Sequence, residues 1–452
     1  MVIELRRVLP PHTGALGPAP AIPDEEFEAR ARSLYGAANV DWVIVYGDRE
    51  HSANIAFLSG YDPRFEEALL ILGPNDTRVL VVGNEGVLYA KLASLPAEVA
   101  LCQSFSLLGQ PRDRAPRLVD VLGDVGIRAG SQVGVVGWKY LEAAESDEPT
   151  EPSFVPSFVV GALRRLGADR VVDSSAVMMN PVDGVRTQNS AAQIAAFEWA
   201  AVRASTGVLR IVNGTKPGMT EFEAAGTLGY QGDPLSCHVM FASGKDEIVG
   251  LRSPSGRRIE LGDGASTAVG YWGSLCCRAG LVTKEPDREF LSEVVQPYYA
   301  AICAWYAEMR VGATGDDVHQ AVMTILDGAS WQPLLNPGHQ ISLDEWLHTP
   351  IAPGSDQTIA SGMLFQCDII PSPLPAGYAL NCEDTIAVAD QGLRAEIADD
   401  YPDVWRRITK RQSFMREELG LEITDDVLPL SASPAYLAPF WLDDSLVCTV
   451  SG

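Results

Sequence analysis

The chain has 452 residues, 46% of them hydrophobic, which is enough material for two or three domains with cores of their own. Its 59 acidic residues against 34 basic ones give a formal charge of -25, which repels phosphate backbones and anionic headgroups and argues against nucleic acid and membrane surfaces as partners. Arg6 and Arg7 precede a proline pair rather than an apolar core, and no uncharged apolar run approaches the roughly 18 residues a membrane span needs, so a cytoplasmic protein is expected. The eight cysteines form no C-x-x-C pair, which argues against zinc knuckles and small disulfide frameworks and for buried thiols.

In chain order, four apolar runs closed by Gly, Asp or Asn come first: VDWVIVYGD from Val40, NIAFLSGYDPRF from Asn54, EALLILGP from Glu67 and TRVLVVGN from Thr77. All four read as strands. Helical AKLASL and RAPRLVDVLGDVGI then alternate with the strand-like QVGVVG, a pattern that predicts an α/β layer over residues 1–185. AAESDEPTEPSFVP, from Ala143, is a surface loop within it.

The second domain, 186–452, opens on a predicted amphipathic helix from Ala191 to Val212, with Ile194, Phe197, Ala201, Val208 and Ile211 at helical spacing. Thr220 with Glu223 forms a capping box. The segment VGATGDDVHQAV repeats that pattern with Thr314 and Asp317, after a predicted helix from Pro286 to Met309, which suggests a duplicated half-domain.

Three later segments gather groups that chemistry uses: LGDGASTAVGYWGSLCCRAG from Leu261, NPGHQISLDEWLHTP from Asn336, and the stretch from Gly362 to Val388. In the last, FQCDIIP and NCEDTIAV read as an antiparallel pair bringing Asp368 near Glu383. Carboxylates in apolar strands need a cation, a hydrogen-bond network or a proton, so these two are site candidates, although capping of turns at strand ends explains them as well. His339 follows Pro-Gly in a turn, and imidazole serves as metal ligand or proton shuttle, or as a core side chain bonded to backbone.

Taken together, these segments resemble the pita-bread family of methionine aminopeptidase, prolidase, aminopeptidase P and creatinase. The resemblance implies an α/β amino-terminal domain followed by an α+β pita-bread domain. It also implies a metal site of Asp, Asp, His, Glu and Glu, with the Asp pair eleven apart on neighbouring strands. Carried onto this chain, Asp263 takes the first Asp position from its spacing to Gly270 and Tyr271, and Ser274 falls at the second. His339 takes the His position, Asp368 the first Glu position, and Glu383 the second. His348 resembles an additional substrate-touching His, and Arg252 stands near where an upstream His is missing.

A neutral Ser274 removes a bridging charge, so the resemblance implies either no metal or one divalent ion (manganese, zinc or iron) on Asp263, His339, Asp368 and Glu383. The expected activity is hydrolysis of a C–N bond in an Xaa-Pro peptide or a small amide or amidine. His339, His348, Asp368 and Glu383 would be catalytic, and Arg64, Phe65, Arg252 and Tyr271 would bind substrate. A homodimer is implied, and the alternative is a catalytically silent relative that binds a small ligand or a protein partner through the old cleft.

Overall fold

The computed structural model describes every residue except Thr13, Ala15, Ala115 and Gly452. The chain divides into two compact units, Ile22–Thr187 and Met1–Ala21 with Gln188–Gly452. The division falls two residues past the expected 185, and the first 21 residues belong to the larger unit because Val2–Arg7 pairs antiparallel with Leu446–Ser451 near the far end of the chain.

The smaller unit is α/β, built on a six-stranded mixed sheet in the order Glu98–Leu101, Thr77–Val82, Ala68–Gly73, Trp42–Gly47, Gln132–Val136, Arg170–Asp173. Its central strands WVIVYG and ALLILG are buried at every position, as strands covered on both faces must be. NIAFLSGYDPRF is not a strand: Ala53–Ser59 is a helix, buried all round and closed by Gly60 in the left-handed region at φ 69°. A short apolar run buried on all sides carries no period that separates helix from strand.

In the larger unit, helix Ala191–Gly214 starts at Ser190, whose hydroxyl accepts from Gln193 N. Both capping boxes form, Thr220 with Glu223 opening Glu221–Gly226 and Thr314 with Asp317 opening Gly315–Ile325. The expected 286–309 helix is realised as Arg288–Phe290, a π-helical turn Leu291–Val295, and Gln296–Glu308. Each half of this unit therefore runs from a long helix through a Thr-capped helix into antiparallel strands.

One four-stranded sheet has the order Asn381–Glu383, Ser274–Leu281, Gly264–Tyr271, Met240–Gly244; the other has His339–Gln340, Leu364–Gln366, Thr385–Val388, Val427–Pro429. Trp305, Tyr298, Tyr299 and Tyr306 of the second long helix are almost wholly buried in the largest core. No helix among the described residues is long and apolar enough to cross a membrane.

Candidate active site

The strands Gly264–Tyr271 and Ser274–Leu281 meet in a two-residue turn, Trp272 and Gly273, with φ of 47° and 80°. Positive φ at both central residues suits the twist of a hairpin, and a Cβ on Gly273 would stand 1.7 Å from the Ser342 carbonyl oxygen. This turn sets the register: Ser274 lies opposite Tyr271, Cys277 opposite Ala268, and Cys277 also opposite Glu383 of the next strand.

Side chains alternate across a strand, so Ala268, Leu275, Cys277 and Glu383 share one face, whereas Tyr271, Ser274, Cys276 and Arg278 share the other. The packing agrees with this division. Tyr271 and Cys276 pack with residues of helix Ala191–Gly214, while Ala268, Leu275 and Cys277 form a small separate cluster with Cys237 and Met240.

His339 enters from the other sheet, paired with Gln366. Its ring is 1% exposed and stacks on Trp346 at 4.1 Å between centroids and 19° between planes. Its Nδ1 lies 3.2 Å from the Gln340 carbonyl oxygen, which only accepts, so Nδ1 carries a proton and Nε2 faces the acids. Nε2 is 3.2 Å from Glu345 Oε1 and 3.8 Å from Glu383 Oε1.

Asp368 completes the group. The pairing of Gln366 with Thr385 runs on through a Cys367 N to Asp384 O bond of 3.1 Å, which brings Asp368 opposite Glu383. Asn381 bonds the Asp368 carboxylate.

The electrostatics are those of acids crowded together out of water. Burial holds Glu383 well above the usual carboxylate range, and the neighbouring Asp368 raises it further. Burial pushes Asp368 up to about 6 against the pull of His339. Burial alone would lower His339, but Glu345 and Glu383 carry it up to about 10. His339 Nε2, Glu383 Oε1 and Asp368 Oδ1 are buried without a hydrogen-bond partner among the described residues. Buried polar atoms of this kind call for a ligand, an ion or a water to complete them. The ligand atoms of His339, Glu345 and Glu383 lie within 4.8 Å of one another, a group able to hold a metal ion. The backbone bond at His339 Nδ1 is the usual outer support of a metal-ligating imidazole, so the donors fit a divalent cation.

The structure thus brings together His339, Asp368 and Glu383 from the sequence reading and adds Glu345, which that reading missed. The only sequence signal for Glu345 is its place in the same short segment as His339 and His348. Asp263 lies elsewhere: its Oδ2 takes Arg257 Nη1 at 2.7 Å and Glu260 N at 2.7 Å. Ser274 Oγ donates to the Phe197 carbonyl at 3.2 Å, on the helix-packed face.

The residues eleven apart that face Glu383's side are Ser266 and Cys277, with Oγ and Sγ 3.9 Å apart. The Gly-Tyr match had placed the pair three positions early, and an odd shift turns side chains to the opposite face. His348 adjoins the group through its backbone, its carbonyl accepting from Gln340 N at 2.7 Å, and its Nδ1 accepts from Thr349 N at 2.8 Å. Tyr271 is 2% exposed beneath the Arg203 guanidinium, 4.9 Å from its ring. Arg252 is exposed in the loop before Asp263. In the smaller unit, Arg64 pairs with Asp62 at 3.0 Å and bonds Tyr89, and Phe65 is 72% exposed.

Arg278 is spent on structure rather than on activating a thiol. Its guanidinium bonds Asp384 at 2.8 and 3.0 Å and the carbonyls of Cys277, Glu383, Ser433 and Tyr436. Burial keeps Cys276 and Cys277 well above the usual thiol range.

An α/β unit and an α+β unit of two antiparallel sheets, with His339 on a strand of one sheet and Glu383 on a strand of the other, make up the pita-bread architecture. Among solved structures, the chain is similar to a prolidase from Thermococcus sibiricus, with a TM-score of 0.65 and 15% identity over 94% of this chain and 99% of that one. It is also similar to an Xaa-Pro dipeptidase from Bacillus anthracis (0.60, 17%, 81% and 95%) and an X-Pro aminopeptidase from Thermotoga maritima (0.58, 17%, 80% and 96%). No protein-family model matches the chain, and neither does any curated protein sequence.

Proposed function

We propose that the protein hydrolyses a C–N bond in a small substrate, an Xaa-Pro peptide or a small amide or amidine, at a site holding one divalent cation on His339, Glu345 and Glu383. The observation that carries this reading is that the ligand atoms of His339, Glu345 and Glu383 lie within 4.8 Å of one another, with Glu383 Oε1 and the nearby Asp368 Oδ1 buried and without a hydrogen-bond partner among the described residues. Similarity to solved peptidases supports the reaction class at the level of fold.

A bound cation supplies Lewis acidity toward the scissile carbonyl and acidifies water. Asp368, outside the three-residue group and with a free Oδ1, accepts the proton of the attacking water. His348 returns a proton to the leaving nitrogen. Trp346 fixes the His339 ring by stacking, and Nδ1 is anchored on the Gln340 carbonyl. Arg252 helps to bind substrate, and Arg64 with Phe65 is the contact pair lent by a second copy in a homodimer.

Metal analysis of the protein equilibrated with divalent ions tests the centre. The expected result is about one ion per chain, falling to a small fraction in His339→Ala and Glu383→Gln. Binding undiminished in both variants contradicts it. The competing reading, a silent relative that binds a ligand through this cleft, is favoured by the lack of any carboxylate at Ser266 and Cys277, and it predicts ligand binding without turnover.

A further inference from the structure

We propose that the larger unit carries a second small-molecule site, apart from the acidic centre, which takes a small organic oxyanion, a phosphate ester or a carboxylate, in the cleft over helix Ala191–Gly214 and Tyr271. This does not depend on the one-cation reading above.

The first ground is spacing. Trp199, Arg203, Thr206 and Arg210 follow one another along the helix at helical intervals, so they share one face, and that face lines a cleft of about 350 Å³ with Gln231 and Tyr271. Small-molecule pockets run from roughly 300 to 1,000 Å³, so a compact ligand fits. Tyr271 belongs to the helix-packed face of its hairpin and Glu383 to the other face, which puts the cleft and the acids on opposite sides of one sheet.

The second ground is charge. The protein has 59 acidic residues against 34 basic ones, yet the described residues lining this cleft include two arginines and no carboxylate. Arg203 is fixed in place: its guanidinium lies 4.5 Å from the Trp199 ring and 4.9 Å from the Tyr271 ring, and Asp233 at 2.5 Å and Gln231 at 3.3 Å hold its Nη2. Asp233 offsets part of that charge. Arg210 has no acid partner among the described residues, and its bond to the Leu228 carbonyl, at 3.4 Å, leaves most of its N–H donors unused. Burial raises the Tyr271 phenol while both guanidinium groups pull against it, so the two cations act on one hydroxyl.

The third ground is the match to a ligand. Guanidinium forks fit the oxygens of carboxylates and phosphates, Thr206 adds a hydroxyl, and Leu16, Val202 and Leu228 offer an apolar wall for the rest of the molecule. An anion repelled by a surface of net charge -25 meets the opposite sign here.

The test uses the full chain without added metal and three probes of one shape, phenyl phosphate, benzoate and uncharged benzamide, titrated by calorimetry. At least one of the two anions should bind at a single site with Kd below about 1 mM, and benzamide at least about tenfold more weakly. Tighter binding of phenyl phosphate supports a phosphate-ester site, and tighter binding of benzoate supports a carboxylate site. Arg210→Ala, at an exposed position, should weaken the anion about tenfold, and Thr206→Val about threefold. Arg406→Ala, which removes the same charge from another exposed position, should keep the affinity. No saturable binding of either anion, benzamide binding as tightly as both, an affinity unchanged in Arg210→Ala, or an equal loss in Arg406→Ala overturns the proposal.

Discussion

Asp384→Ala should be among the most damaging single substitutions in the larger unit. Asp384 is 0% exposed and accepts from Arg278 at 2.8 and 3.0 Å and from Ala435 N at 2.9 Å. Removing its carboxylate strands a guanidinium that is 3% exposed and leaves the Ala435 N–H without its acceptor. Breaking a buried ion pair from one side costs about 3–5 kcal/mol, and the orphaned amide of Ala435 adds about 1–3 kcal/mol to it. Replacing both partners by apolar groups removes the uncompensated charge but strands the carbonyls that Arg278 serves, so Arg278→Met with Asp384→Leu should cost clearly less than the sum of the two singles without returning to wild-type stability.

Equilibrium urea unfolding of the wild type, Arg278→Met, Asp384→Leu and the double gives the cycle, with an expected coupling of at least about 2 kcal/mol. Because Arg278 also holds the carbonyls of Cys277 and Glu383, Asp384→Ala should weaken metal binding as well. A single variant within about 1 kcal/mol of wild type, or a double that costs as much as the two singles together, would refute this reasoning.

Thr220→Ala and Thr314→Ala should each cost about 1 kcal/mol, read by urea unfolding, and should add in the double, because each hydroxyl caps a separate helix. In the smaller unit, burial raises Asp48 but bonds from His51 and Tyr46 outweigh it, holding its carboxyl below the ordinary aspartate range. An acid depressed on folding contributes stability above its unfolded pKa and loses it as the pH falls through the folded one. Asp48→Asn should therefore be destabilising at pH 7, by about 1 kcal/mol, with the difference from wild type closing in thermal scans as the pH falls through the depressed pKa of Asp48.

How much of this was legible in the sequence depended on whether a residue announced itself locally. Thr220 and Thr314 did, because a hydroxyl three residues before an acid is a local device whose partner is in view. Asp368 and Glu383 did, because a charge within an apolar strand demands a partner. The hairpin register did not: every position of GASTAVGY and SLCCRAGL is buried, so no alternation told one face from the other. The Gly-Tyr match then pointed to Asp263 and Ser274, while the actual turn at Trp272 and Gly273 put Cys277 opposite Glu383, with Ser266 on the same face. Glu345 was invisible for another reason: an acid in a polar loop looks like any solvated side chain until the His339 ring lies against it.

The most direct measurement is amine release from a panel of Xaa-Pro dipeptides and small amides by the metal-loaded protein, beside His339→Ala, Asp368→Asn and Glu383→Gln. The account predicts turnover of at least one substrate class in the wild type and a loss of at least about 100-fold in each variant. No release from any substrate, or turnover unchanged when Glu383 is replaced, would contradict it.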